Sequence, residues 1–166
     1  MAQTTAMKQQ KTIHVEASYT INARPETLYA IIADYQVAHQ AILPMPPFTS
    51  VIVEKGGQGA GTVVLTHMKV FGKVYTFHQI VTEPEPGHIL VETDMETGQF
   101  TQFIFDPLAN GVQTRVTITS EFPRKPGFGG FIESISQPSF VRGIYMKELR
   151  ILAKYVGKSD PVLTAG

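Results

Sequence analysis

The chain has 166 residues with no cysteine and no tryptophan, and its 14 basic and 14 acidic side chains cancel. Without cysteine there is no disulfide framework, thiolate nucleophile or sulfur metal site. Balanced charge with no block of one sign excludes the electrostatic footprint of a nucleic-acid or acidic-membrane binder. A chain of this length reads as one domain, expected over residues 12–157 between a disordered arm (1–11) and a flexible tail (158–166). MAQTTAMKQQKT lacks the apolar centre of a signal peptide, and there is no transmembrane segment, so the expected setting is the cytoplasm.

TIHVEASYTIN alternates, with Ile13, Val15, Ala17, Tyr19 and Ile21 on one face, and predicts a half-buried strand. Pro25 suits the first turn of a helix whose stripe is Leu28, Ile31, Ile32 and Tyr35. A second short helix, over 35–43, stops at Pro44 and MPPF. VIVEK, GTVVLTHMKV, KVYTFHQIV, HILVETDM, QFTQFIFD and VQTRVTITSEF then read as six strands separated by turn signals.

Turn chemistry assigns faces. A type II′ turn at Gly72-Lys73 sets Met68 opposite Phe77, Thr66 opposite Gln79 and His67 opposite His78. A three-residue loop Glu96-Thr97-Gly98 sets Thr93 opposite Thr101 and Val91 opposite Phe103. A turn at Asn110-Gly111 sets Phe105 opposite Val116 and Phe103 opposite Ile118. The inward face then carries Thr66, Met68, Tyr75, Phe77, Gln79, Val91, Thr93, Phe103, Phe105 and Ile118. The outward face carries His67, His78, Glu92 and Asp94, with an apolar patch of Leu65, Ile80, Leu90 and Ile104 that either joins two copies in a homodimer or is a set of exposed strand formers.

PRKPGFGGFIESISQPS reads as a mobile entry loop in which Phe128, Phe131 and Ile132 pack near a cavity mouth, and Pro138 interrupts any helix there. FVRGIYMKELRILAKYV, residues 140–156, is a long amphipathic helix with Ile144 in its apolar stripe. Arg142, Lys147, Arg150 and Lys154 hold the other side, and Gly157 ends it.

This order resembles the START-like (SRPBCC) helix-grip superfamily. INARPETLYAIIADY is similar to its entry segment, GGQGAGTV to its glycine-rich turn and KELRILAKYV to its closing helix. FIFDPLANGVQTRVTI resembles the bacterial polyketide cyclase/dehydrase and lipid-transport group. The resemblance implies an α+β fold in which a curved seven-stranded antiparallel sheet wraps a long C-terminal helix, with two short helices after the first strand. It also implies a hydrophobic cavity between sheet and helix, and no fixed catalytic residues. Where several members carry tryptophan, this chain offers Tyr29, Tyr35 and Phe103.

The expected ligand is a hydrophobic or amphipathic small molecule such as a lipid, polyketide or isoprenoid. Its contacts are Tyr35 and His39, the inward strand residues above, Phe131 and Ile144. In the resembled architecture the second short helix closes one end of the cavity, which makes His39 a candidate acid-base residue beside Tyr75; otherwise His39 is a surface histidine. His67 and His78 form at most a two-point metal site with no third ligand, and GGQGAG opens into a strand with no Lys-Ser/Thr after it, so no metal or cofactor is expected. The alternatives are a cyclase-type enzyme, a protein-interaction module on the outer sheet face, and a core filled without a cavity.

Overall fold

Proline and glycine punctuate the chain where the backbone changes direction, and the elements fall between them. The computed structural model describes residues 12–123 and 138–159. Strand β1 is Thr12–Ile21, helix α1 Pro25–Ala33 and helix α2 Ala38–Ile42. Strands β2 (Phe48–Lys55), β3 (Val63–Val70), β4 (Lys73–Glu85), β5 (Ile89–Asp94), β6 (Phe100–Leu108) and β7 (Gln113–Pro123) follow, and helix α3 is Pro138–Ser159. The strands form one antiparallel sheet in the order β1-β7-β6-β5-β4-β3-β2. Helix α3 packs on β1 and α2. This is the helix-grip arrangement.

Pro138 opens α3, which runs straight past Gly157 to Ser159 rather than stopping at Val156. Its buried residues are Val141, Ile144, Tyr145, Glu148, Leu149, Leu152 and Val156, the three- and four-residue spacing of one helical face. Phe128, Phe131, Ile132 and the rest of residues 124–137 of the expected entry loop lie outside the described residues.

The β6–β7 pairing is the expected one, Phe105 opposite Val116 and Phe103 opposite Ile118, although the loop is one residue wider on each side, Ala109 to Val112. The β3–β4 turn is displaced. Its two central residues are Phe71 and Gly72, both left-handed (φ 48° and 79°), so Val70 pairs with Lys73 and Met68 with Tyr75. A type I′ turn needs both residues there, and the Phe71 ring meets Phe140 of α3 with centroids 5.9 Å apart. The displacement keeps the inward face of both strands but separates His67 from His78, which face Thr76 and Leu65. His67 Nδ1 instead lies 2.9 Å from Ser50 Oγ, and His78 Nε2 2.6 Å from Glu54 Oε2.

The β5–β6 register differs by one residue, and that inverts a strand. Glu92 faces Thr101, Leu90 faces Phe103 and Thr93 faces Phe100. Leu90, Glu92 and Asp94 therefore point inward, while Val91 and Thr93 occupy the outer face. The cause is Asp94, which closes a four-residue loop. Its amide donates to Gln99 O (2.8 Å), and its Oδ1 accepts from the amides of Glu96 (3.2 Å) and Thr97 (2.8 Å) and from the Thr97 hydroxyl (2.8 Å). Gly98 supplies the left-handed residue at φ 73°. Leu90, fully buried, is thus core and not part of an outer patch with Leu65, Ile80 and Ile104.

The glycine-rich loop between β2 and β3 anchors the short helices. Tyr35 N–H donates to Gly57 O (3.0 Å) and Gly59 N–H to Ala33 O (2.9 Å). Glu83 of β4 accepts from the Tyr29 hydroxyl (2.5 Å) and the Ala60 amide (2.7 Å). A side chain at Gly59, whose φ is 57°, would put Cβ 2.7 Å from the Glu83 carboxylate.

Candidate functional site

Between the inner sheet face, α2 and α3 lies a cavity of about 90 Å³. One water needs about 10–15 Å³ by this measure, so the space admits a small organic molecule. Leu43, Phe48, Val51, Val64, Phe122 and Val141 contribute to an apolar wall. Set into this wall are Tyr35, His39, Glu92, Tyr145 and Glu148, all buried.

Asp34 sets the geometry of α2. Its carboxylate accepts from the amides of Gln36, Val37 and Ala38 at 3.2–3.3 Å and from Gln58 Nε2 at 2.7 Å, while its carbonyl accepts from the His39 amide at 2.8 Å. This one-turn helix directs His39 inward, where it is 4 % exposed; it is not a surface histidine. Its Nδ1 lies 2.6 Å from Ile32 O, and because a carbonyl only accepts, Nδ1 carries the hydrogen. Nε2 is left facing Glu92 Oε1 at 3.6 Å. The imidazole stacks on the Tyr35 ring (centroids 4.4 Å apart) and meets Phe103 edge-on.

Glu92 is the centre of the polar cluster. Its Oε1 accepts from the Tyr35 hydroxyl at 2.7 Å and its Oε2 from Gln79 Nε2 at 3.3 Å. Across the cavity, Tyr145 of α3 shares a 2.5 Å hydrogen bond with Ser120, whose hydroxyl also lies 2.8 Å from Thr101 Oγ1. Burial raises the Tyr35 phenol well above its ordinary range, helped by the Glu92 charge, and pushes Tyr145 up to about 12.

Glu148, one turn beyond Tyr145, has no such company. It is 3 % exposed, and its Oε1 has no hydrogen-bond partner. Burial, with the charge of Glu92 nearby, pushes its carboxyl up to about 8, so at neutral pH it is a neutral acid that keeps an O–H to donate. The same cavity holds the Glu92 carboxyl, which accepts from Tyr35 and Gln79.

Of the residues singled out from sequence, Tyr35, His39, Thr66, Met68, Phe77, Gln79, Phe103 and Ile144 line the cavity. Phe105 and Ile118 are buried behind its wall, Phe105 edge-on to Tyr29. Tyr75 is half-buried opposite Met68 and is not on the wall. Val91 and Thr93 fall on the other face of the sheet, for the register reason above. Glu92 and Glu148 were missed. Both carried a signal: Glu148 stands four residues after Ile144 and three after Tyr145, in the middle of the apolar stripe, and Asp94 with Thr97 and Gly98 is a side-chain-capped turn that fixes the parity of Glu92. Among the described residues there is no cluster of three potential metal ligands, and no helix is long and apolar enough to cross a membrane.

The fold is shared with solved structures. The KanY protein (ms6282) is 28% identical, with a TM-score of 0.74 over 89% of this chain and 98% of its own. The Zhui aromatase/cyclase from Streptomyces sp. R1128 is 19% identical, with a TM-score of 0.71 over 94% and 99%. A START superfamily protein from Mycobacterium smegmatis is 15% identical, with a TM-score of 0.66 over 89% and 99%. No curated protein matches the chain at a significant level of sequence similarity. A family model described as polyketide cyclase / dehydrase and lipid transport matches residues 12–157, and with its START-like helix-grip fold the chain belongs to that family.

Proposed function

We propose that the chain binds a hydrophobic or amphipathic small molecule, of lipid, polyketide or isoprenoid type, in the cavity between sheet and α3, and does so in the cytoplasm. The observation that carries the reading is a largely apolar cavity of about 90 Å³ lined by the buried Glu148, whose Oε1 has no hydrogen-bond partner. Apolar contact at about 25 cal/mol per Å² drives the association, and the polar cluster orients the ligand. Tyr35, His39, Thr66, Met68, Phe77, Gln79, Phe103 and Ile144 are the proposed contacts. Without Leu90, the outer residues Leu65, Ile80 and Ile104 add no dimer to this reading. Native mass spectrometry of the protein as purified, set against the same sample after denaturation and extraction, tests the proposal. A co-purifying molecule of defined mass is expected. A bare polypeptide mass together with failure to bind an uncharged fluorescent probe such as N-phenyl-1-naphthylamine refutes it.

A second reading, a cyclase-type enzyme, is favoured by one arrangement. His39, with its hydrogen held on Nδ1 by Ile32 O, presents Nε2 toward Glu92 in the same cavity as the protonated Glu148. That supplies a proton acceptor and a proton donor on opposite elements, as enolisation and dehydration require. Tyr75, off the cavity wall, has no part in it. His39→Ala separates the two readings: a binder keeps its extracted ligand with a modest loss of affinity, whereas an enzyme loses turnover of that molecule by about 10²-fold or more.

A further inference from the structure

The polar lining of the cavity is unusual in what it lacks. Among the described residues that line it, none is lysine or arginine, yet it holds two carboxyls, Glu92 and Glu148. Glu92 is already supplied with donors by Tyr35 and Gln79. Glu148 also lines the cavity, and its Oε1 is buried with no hydrogen-bond partner. A buried polar atom left unpaired is destabilising, and a ligand that pairs it recovers that cost. A ligand anion would find no cation there and would meet the Glu92 charge in a low dielectric.

Resting on the binder reading above, we infer that the cavity selects an uncharged apolar molecule bearing a carbonyl oxygen, a ketone, aldehyde or ester, which accepts the hydrogen of the Glu148 carboxyl. Anionic amphiphiles such as fatty-acid carboxylates are rejected. The donor exists only while Glu148 holds its proton. The titratable groups that share the cavity with it are Glu92 on β5, Tyr35 and His39 at α2, and Tyr145 on its own helix. Both phenols are raised out of the working range, which leaves His39 and Glu92 to be separated from Glu148 by mutation.

The test is displacement of N-phenyl-1-naphthylamine, itself uncharged, by 2-undecanone and by decanoate, which differ only in a methyl group against a charged oxygen. At about pH 6.5 the ketone is expected to bind at least about tenfold more tightly than the carboxylate. Between about pH 6.5 and about pH 9 ketone binding should weaken about tenfold in the wild type, as Glu148 loses its proton. In Glu148→Gln, whose amide is a donor at every pH, ketone affinity is flat over the same range whatever its absolute value. Decanoate binding as tightly as the ketone overturns the inference and leaves the binder reading standing. So does a pH dependence that persists in Glu148→Gln, or a probe that binds and is displaced by undecane but not by the ketone. If neither probe nor ketone binds, the binder reading falls and the inference with it. Should Glu148→Gln fail to fold, the ketone-to-carboxylate ratio at about pH 6.5 decides the matter, and a ratio well under tenfold overturns the inference.

Discussion

Replacing Glu148 by glutamine is expected to stabilise the protein, and to do so increasingly as pH rises. The unfolded carboxyl titrates at its ordinary 4.5 and the folded one at about 8. Between those values the native state keeps a proton that the unfolded chain has released, so stability falls with pH by up to about 1.4 kcal/mol per pH unit. The penalty is absent well below pH 4.5, grows through the window, and is complete above about pH 8. A span of about 3.5 pH units makes it about 5 kcal/mol in full, of which about 4 kcal/mol accrues between pH 5 and pH 9. Glutamine keeps the shape and a donor but has no proton to lose. Urea unfolding followed by circular dichroism, for both proteins at a series of pH values, isolates the effect as the difference between the two curves. For a chain of this size that difference corresponds to about 10 °C in Tm at the alkaline end. Stability curves that run parallel from pH 5 to pH 9 would refute both the buried placement of Glu148 and the reasoning built on it.

Four further substitutions test the fold. Leu90→Glu, fully buried against Phe103, should cost more than about 3 kcal/mol, whereas Val91→Glu on the outer face should change stability by less than about 1 kcal/mol; thermal melts that rank them the other way would show the β5 register to be wrong. Asp94→Ala removes the acceptor shared by the Glu96 and Thr97 amides and should cost about 2 kcal/mol, with faster hydrogen exchange at those two amides than elsewhere in the sheet. Gly59→Ala must adopt a left-handed φ and push Cβ against Glu83, so a loss of about 1–2 kcal/mol in urea unfolding is expected, and an unchanged midpoint would contradict that loop.

Local chemistry by itself determined the order of elements, the antiparallel meander and the apolar stripe of α3, because alternation, turn residues and helical spacing are properties of neighbours in the chain. It also determined the inward faces of β3, β4, β6 and β7, and at β3–β4 even a turn displaced by one residue at each end left the faces unchanged. The parity of β5 hung on one side chain of its turn. A three-residue and a four-residue loop are both compatible with METG, and only the donors gathered by the Asp94 carboxylate select the latter, turning Glu92 from solvent to the cavity. The polar cluster likewise joins residues distant in sequence: Tyr35 and His39 from one end, Glu92 from the middle of the sheet and Glu148 from the last helix. No local pattern encodes how close these groups come or which of them lack partners. Those depend on burial and on the neighbours across the cavity, and burial is what leaves Glu148 neutral at pH 7 while Glu92 is held by hydrogen bonds.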